Sequence, residues 1–171
     1  MIVADSTALI ALAKLARLQL LCAVYSQVLI APAVRWEVVD QGKLIAARGV
    51  EQIEAALKER WMHVARPTRA EREHARELST GSRLGAGETE SLALASSRRL
   101  PLIVDDKEAR AMAATLQLSY VGTAGVLFAA FAGSHITFEE YEATVIDLSR
   151  VMWLSPDVVA HSLRRAREMK S

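Results

Sequence analysis

Cysteine is all but missing from this 171-residue chain: Cys22 stands alone, which excludes an internal disulfide and a thiolate metal cage. Flanked by Leu20, Leu21 and Ala23, it is expected to be a buried, inert thiol. An excess of either charge is missing as well. With 21 Lys and Arg against 20 Asp and Glu, no global field draws nucleic acid, a membrane or an acidic ligand, so any such partner must be met by a local cluster. Long hydrophobic runs are absent too. The most apolar stretch, Ala124 to Ala132, falls far short of the ~20 residues a spanning helix needs, so it reads as a buried helix and no membrane partner is expected. No basic segment precedes Ile2-Val3-Ala4, and Asp5 stands where an apolar signal core would continue. A cytoplasmic location is the expectation.

What is present is an apolar fraction of 51%, distributed as short runs that alternate with helical patterns. Residues 2 to 4 read as a buried strand, and Ala8 to Leu21 as a helical region apolar on nearly every face, broken near Arg17 and sandwiched in the interior. Val28 to Ala31 reads as a second strand, and Pro32 sits where a first-turn proline opens a helix that carries Glu37. After Gln41-Gly42, Ile45 to Arg60 has amphipathic spacing, with Ile45, Val50, Ile53, Ala56 and Leu57 on one side. Trp61 to Ala65 reads as a short edge strand, and Thr68 with Glu71 as a capping box for a helix running from Arg69 towards Leu78. Gly85-Ala86-Gly87 opens a helix from Glu88 to Arg99, followed by a strand at Leu102 to Val104, a helix at Lys107 to Leu116 and a strand at Ser119 to Val121.

Thr137 with Glu140, and Ser155-Pro156-Asp157, mark two terminal helices; the second carries an apolar stripe of Val158, Val159, Leu163, Ala166 and Met169. The alternation predicts an α/β fold with a central, mainly parallel sheet covered on both faces. One domain over residues 1–171 is expected, with a core over about residues 1–133 and a helical appendage over about 137–170.

Acids fall at comparable places along this pattern. Asp5 follows the first strand, Asp105 and Asp106 follow Leu100-Pro101-Leu102-Ile103-Val104, Glu37 lies on the helix after the second strand, and Glu88 occupies a first helical turn. In parallel sheets the carboxyl edge is where ligands sit. Carboxylates gathered there repel one another unless cations or protons offset them. Hard oxygen donors suit Mg²⁺ or Mn²⁺, and His63, His74, His135 and His161 have no ligand spacing that would favour a softer metal. Phosphoryl transfer is the chemistry that such a site performs best. Each acid alone has an ordinary explanation as a cap or a solvated side chain, and so do Ser6 and Thr7 at a helix start.

The order Ile2-Val3-Ala4-Asp5-Ser6-Thr7-Ala8-Leu9-Ile10, Ile30-Ala31-Pro32-Ala33-Val34-Arg35-Trp36-Glu37, Gly85-Ala86-Gly87-Glu88, Leu102-Ile103-Val104-Asp105-Asp106 and Gly122-Thr123-Ala124-Gly125-Val126-Leu127 resembles PIN-domain proteins, over nearly the whole chain. The resemblance implies a three-layer α/β/α fold and metal-dependent cleavage of RNA. It often accompanies a role as the toxin of a type II toxin-antitoxin pair, with a small antitoxin protein as partner, and homodimers are common. Carried over by position, Asp5, Glu37, Glu88 and Asp106 are the implied catalytic and metal-binding acids. Asp105, Ser6, Thr7 and Thr123 are candidates for supporting contacts around them. The toxin pattern departs at Val104, which stands where a threonine or serine is usual, and at Lys107-Glu108-Ala109-Arg110, which lacks an aromatic.

Basic residues form three groups: Arg66, Arg69, Arg72, Arg76 and Arg83; Arg98 and Arg99; and Arg164, Arg165, Arg167 and Lys170. Glu71, Glu73 and Glu77 interleave with the first, so local ion pairs compete there with phosphate contacts. Lys107 and Arg110, beside the acids, are the candidates for holding a scissile RNA phosphate, although Asp106 and Arg110 also have ion-pair spacing. The leading expectation is a Mg²⁺- or Mn²⁺-dependent endoribonuclease. The alternative is a non-catalytic PIN-like module that binds RNA or protein. A receiver-like or phosphatase-like domain ranks last, because Asp5-Ser6-Thr7 lacks an acid two residues on.

Overall fold

The computed structural model describes residues 1–170. Five strands form one parallel sheet: β1 (Ile2–Ala4), β2 (Val28–Ile30), β3 (Met62–Val64), β4 (Leu102–Ile103) and β5 (Tyr120–Val121), in the order β3-β2-β1-β4-β5. The central strands β1, β2 and β4 are buried throughout, as expected for continuous apolar runs covered on both faces. The chain runs outward from β1 to β3, crosses back, and resumes at β4 on the other side of β1. Strand order therefore reverses between β1 and β4, the position where open α/β sheets leave a crevice at their carboxyl edge. The sequence delivers Asp5 and Asp105-Asp106 to that crevice.

Eleven α-helices are assigned among the described residues. On one face, α7 (Ala86–Arg98) packs against β1 and β4, flanked by α3 (Pro32–Arg35), α6 (Arg69–Ser79) and α8 (Lys107–Thr115). A second group consists of α1 (Ser6–Lys14), α2 (Gln19–Tyr25), α9 (Thr123–Ala132), α10 (Phe138–Val151) and α11 (Pro156–Lys170), which contact one another. The result is the three-layer α/β/α arrangement that alternating strands and helices predict. The capping boxes at Thr68 with Glu71 and at Thr137 with Glu140 form as their spacing requires, each cap stabilising its helix by about 1 kcal/mol.

The apolar region beginning at Ala8 is two helices. They meet at a bend of 119° after Lys14, with Ala16 in the left-handed region, so the break expected near Arg17 is present. This pair has the combined length and apolarity of a membrane span, yet no single helix among the described residues does. The pair's apolar side chains Leu9, Leu12, Leu18 and Leu21 are buried in the core.

Two expectations need correction. The helix predicted from Ile45 starts only at Val50: α4 (Gly42–Leu44) ends first, and α5 spans Val50–Lys58. Ile45 is 76% exposed and does not join the inner face of Val50, Ile53 and Ala56. Gly49 is the cause, because it takes φ +92° directly against Ala13, where a Cβ would lie 2.5 Å from the alanine methyl. The stripe on the last helix is likewise thinner than its spacing suggests. Ala166 is buried, Val159 and Leu163 pack half-buried against the core, Val158 and Met169 are exposed, and docking is completed by charge: Arg165 lies over the Phe128 ring, and Arg167 and Lys170 pair with Glu142 and Glu139.

Candidate active site

Asp5 leaves β1 with its amide bonded to the carbonyl of Ile103 on β4, which places it at the carboxyl edge where the strand order reverses. It is 2% exposed. Oδ1 accepts the Ala8 N–H and caps α1, whereas Oδ2 is buried without any hydrogen-bond partner. Burial pushes the carboxyl up from 3.8 to about 7; the backbone amides of Ala8 and Asp105 oppose this, and the negative charges of Asp105 and Glu88 reinforce it. A buried carboxylate with one free oxygen and two acids in electrostatic range is costly unless a proton or a cation sits beside it.

The neighbouring acids are placed by separate devices. Pro32 starts α3 directly after β2, and the helix continues as a π-helix over Trp36–Gln41, whose first turn carries Glu37. Such wide turns are often found at functional sites. Glu37 accepts a hydrogen bond from Ser6 Oγ, which joins it to the residue beside Asp5. Its carboxylate also lies over Gly87 of α7, where a Cβ would come within 2.9 Å of Oε2. Glu88, in the first turn of the same helix, reaches back so that the Gly85 N–H donates to Oε2 at 2.5 Å. Glu90, one residue beyond Thr89, accepts the Ala33 N–H at 2.9 Å and thereby ties α7 to the start of α3. No sequence signal marks that role for Glu90, because the two residues are 57 positions apart.

The two aspartates after β4 divide their work. Asp106 is exposed, and its Oδ1 accepts the Ala109 N–H at 2.8 Å as the N-cap of α8. Asp105 is half-buried and is the one whose charge reaches Asp5. Thr123 grips it from β5's exit, donating its N–H to Oδ1 at 2.9 Å and its hydroxyl to Oδ2 at 2.5 Å. Gly122 leaves room for this grip, since a Cβ there would sit 2.9 Å from Oδ1. Asp105 and Glu88 thus lie in electrostatic range of Asp5, Glu37 is tied to Ser6 beside it, and Asp106 serves as a helix cap. Thr7, Lys107 and Arg110 are exposed, and neither Lys107 nor Arg110 forms an ion pair among the described residues.

A family model described as PIN domain matches residues 1–168. The chain belongs to the PIN-domain family. Neither the curated proteins nor the solved structures provide a match. PIN domains are in general nuclease folds that use divalent metals, and the acids of this PIN domain can be tested against that requirement from their own geometry. Among the described residues no three acids or histidines are grouped closely enough to form a ready metal cage. The donors nevertheless fit a hard divalent ion in kind: all are carboxylate oxygens, Asp5 Oδ2 is free and buried, and Gly87 and Gly122 supply space beside Glu37 and Asp105. The arrangement is an open set of carboxylates rather than a closed cage.

Proposed function

We propose that this PIN domain is a cytoplasmic, Mg²⁺- or Mn²⁺-dependent endoribonuclease whose acidic crevice hydrolyses RNA phosphodiester bonds. The observation that carries the proposal is the buried, unpartnered Oδ2 of Asp5 at the switch point between β1 and β4, faced by Asp105 and Glu88. Asp5 and Asp105 would hold the ion, with Glu37 and Glu88 completing the acidic wall. A bound divalent ion supplies Lewis acidity at the phosphate and makes water a stronger nucleophile. Asp5 holds a proton near neutrality when no cation is present, and it must release that proton to become a ligand. Ser6 fixes the orientation of Glu37, Thr123 fixes that of Asp105, and Lys107 and Arg110 stand free to meet the phosphate whose P–O bond is broken.

The test is cleavage of a structured and a single-stranded RNA by purified protein with each metal. Asp5→Asn and Asp105→Asn are expected to reduce the rate by at least ~100-fold. Cleavage that persists in both variants, or that is absent from the wild type with either metal, overturns the assignment. A toxin role, with a small antitoxin protein that masks the crevice, extends the proposal on family resemblance. Expression that leaves growth unaffected, together with the lack of a small partner gene, would count against it.

A second function is favoured by the open grouping of the acids and by the use of Asp106 as a cap: a non-catalytic module that binds RNA or protein. Calorimetry with Mn²⁺ separates the two. Binding lost in Asp5→Asn supports the nuclease, and no binding to the wild type supports the module.

A further inference from the structure

A cleft with a volume of about 340 Å³ opens between α6 and α7, beside the acidic crevice rather than over it. The two share the first turn of α7: Ala86 and Thr89 line the cleft, while Gly87 and Glu88 face the acids. Its floor is apolar, built from Ala75, Leu84 and Leu94, and its rim carries Arg72 and Arg76. Two carboxylates also lie in its walls, and both are already engaged. Glu71 is held by Arg98 through Nε at 2.7 Å and Nη2 at 3.1 Å, and Glu90 is held by the Ala33 amide. Arg72 spends one guanidinium nitrogen on the Pro67 carbonyl, and the exposed Arg76 side chain has no partner among the described residues.

We infer that this cleft holds one nucleotide of single-stranded RNA next to the scissile phosphate, with the base on the apolar floor and its phosphate on Arg76 and Arg72. The inference rests on the proposed nuclease function, whose substrate it specifies. Three features favour this occupant. The volume lies at the lower end of ligand pockets, which start at roughly 300 Å³. An apolar floor beneath the Arg76 guanidinium and the remaining donors of Arg72 matches a flat base attached to an anionic backbone, and guanidinium planes themselves stack on bases. An acidic crevice repels a polyanion, so a chain crossing it needs positive charge on its flank, and Arg72 and Arg76 supply this from α6, which packs against α7. A paired helix would present no splayed base to such a pocket.

The experiment is fluorescence anisotropy of a short labelled single-stranded RNA in EDTA, which keeps the RNA intact, titrated across salt concentrations. Arg76→Glu is exposed and leaves the core untouched, and Leu84→Trp fills the cleft without changing charge. Arg76→Glu is expected to weaken binding about tenfold and to flatten the salt dependence by about 0.7 in slope for the lost phosphate. Leu84→Trp is expected to weaken binding with the slope unchanged. Wild-type affinity in both variants overturns the inference and leaves the cleft to another ligand, a protein segment included. The nuclease assignment is tested apart. Weakened binding by both variants in a protein that never cleaves supports the cleft while removing the nuclease. Metal-dependent cleavage with an unaltered KM in both variants does the reverse.

Discussion

Asp5 and Glu71 are both carboxylic acids buried to within a few per cent, and they have been treated in opposite ways. Glu71 has a guanidinium across it and the Thr68 amide at 2.7 Å, and these contacts, led by Arg98, pull its carboxyl down from 4.5 to about 2. Asp5 has backbone amides but no cation, and its neighbours are acidic, so burial lifts it to about 7. Glu71 locks α6 to α7 and is finished in itself. Asp5 is unfinished, and the proposed function is what its missing partner would serve.

The largest expected difference follows from that lack. Folded Asp5 keeps its proton up to about pH 7, whereas the unfolded chain loses it near 3.8, so the folded state binds more protons between these values. Stability of the metal-free protein should fall as pH rises through this window and level off above it, by up to about 4 kcal/mol from this group. Asp5→Asn should therefore be more stable than the wild type at pH 8 in EDTA and show no such gain near pH 4, as measured by urea unfolding. A variant destabilised at pH 8 would erase the contrast.

Glu71 should behave with the opposite sign. Its depressed value adds stability above pH 4.5, which is lost as pH falls towards 2. Arg98→Met leaves the buried carboxylate with its amide alone and should cost about 2 kcal/mol at pH 7, a value discounted because the arginine side chain is one-third exposed. The cost should shrink in acid, and Mn²⁺ affinity should be unchanged. A loss of metal binding in Arg98→Met would show that the two regions are not separate.

Gly87 sharpens the comparison from the other side. An alanine methyl there meets the Glu37 carboxylate at 2.9–3.2 Å and must push it aside. Gly87→Ala should cost about 1 kcal/mol of stability, a small overpacking penalty, yet weaken Mn²⁺ binding about tenfold. Equal, small effects on both would place Glu37 outside the working set.

Much of this was legible in the chain itself. The strands at 2–4 and 102–103 and the boxes at Thr68 and Thr137 depend on residues within three or four positions of one another, and local chemistry decides them. The three-layer arrangement follows from the alternation. What could not be read depends on distant partners. The division between Asp105 and Asp106 is set by Thr123, 18 positions away, and the Glu71–Arg98 lock spans 27. Ile45 matched the periodicity of α5 and still fell outside it, because periodicity does not register that Gly49 must bend over Ala13.

Thr123 offers the finest cut between a finished and an unfinished carboxylate, because it half-finishes Asp105. Its hydroxyl and amide hold both oxygens of an acid that nonetheless faces Asp5, so Asp105 is oriented without being given a positive charge. Thr123→Val keeps the shape and the amide but removes one hydrogen bond, for about 1 kcal/mol of stability. If the grip only stabilises the turn after β5, that loss is the whole effect and Mn²⁺ affinity by calorimetry stays at the wild-type value. If it aims Asp105 at an ion shared with Asp5, affinity should drop a few-fold, Thr123→Ser should restore it, and the Asp105→Asn background should abolish the difference. Coupling between Thr123 and Asp105 in that double-mutant cycle, absent between Thr123 and Glu71, is what distinguishes a positioning residue from a structural one.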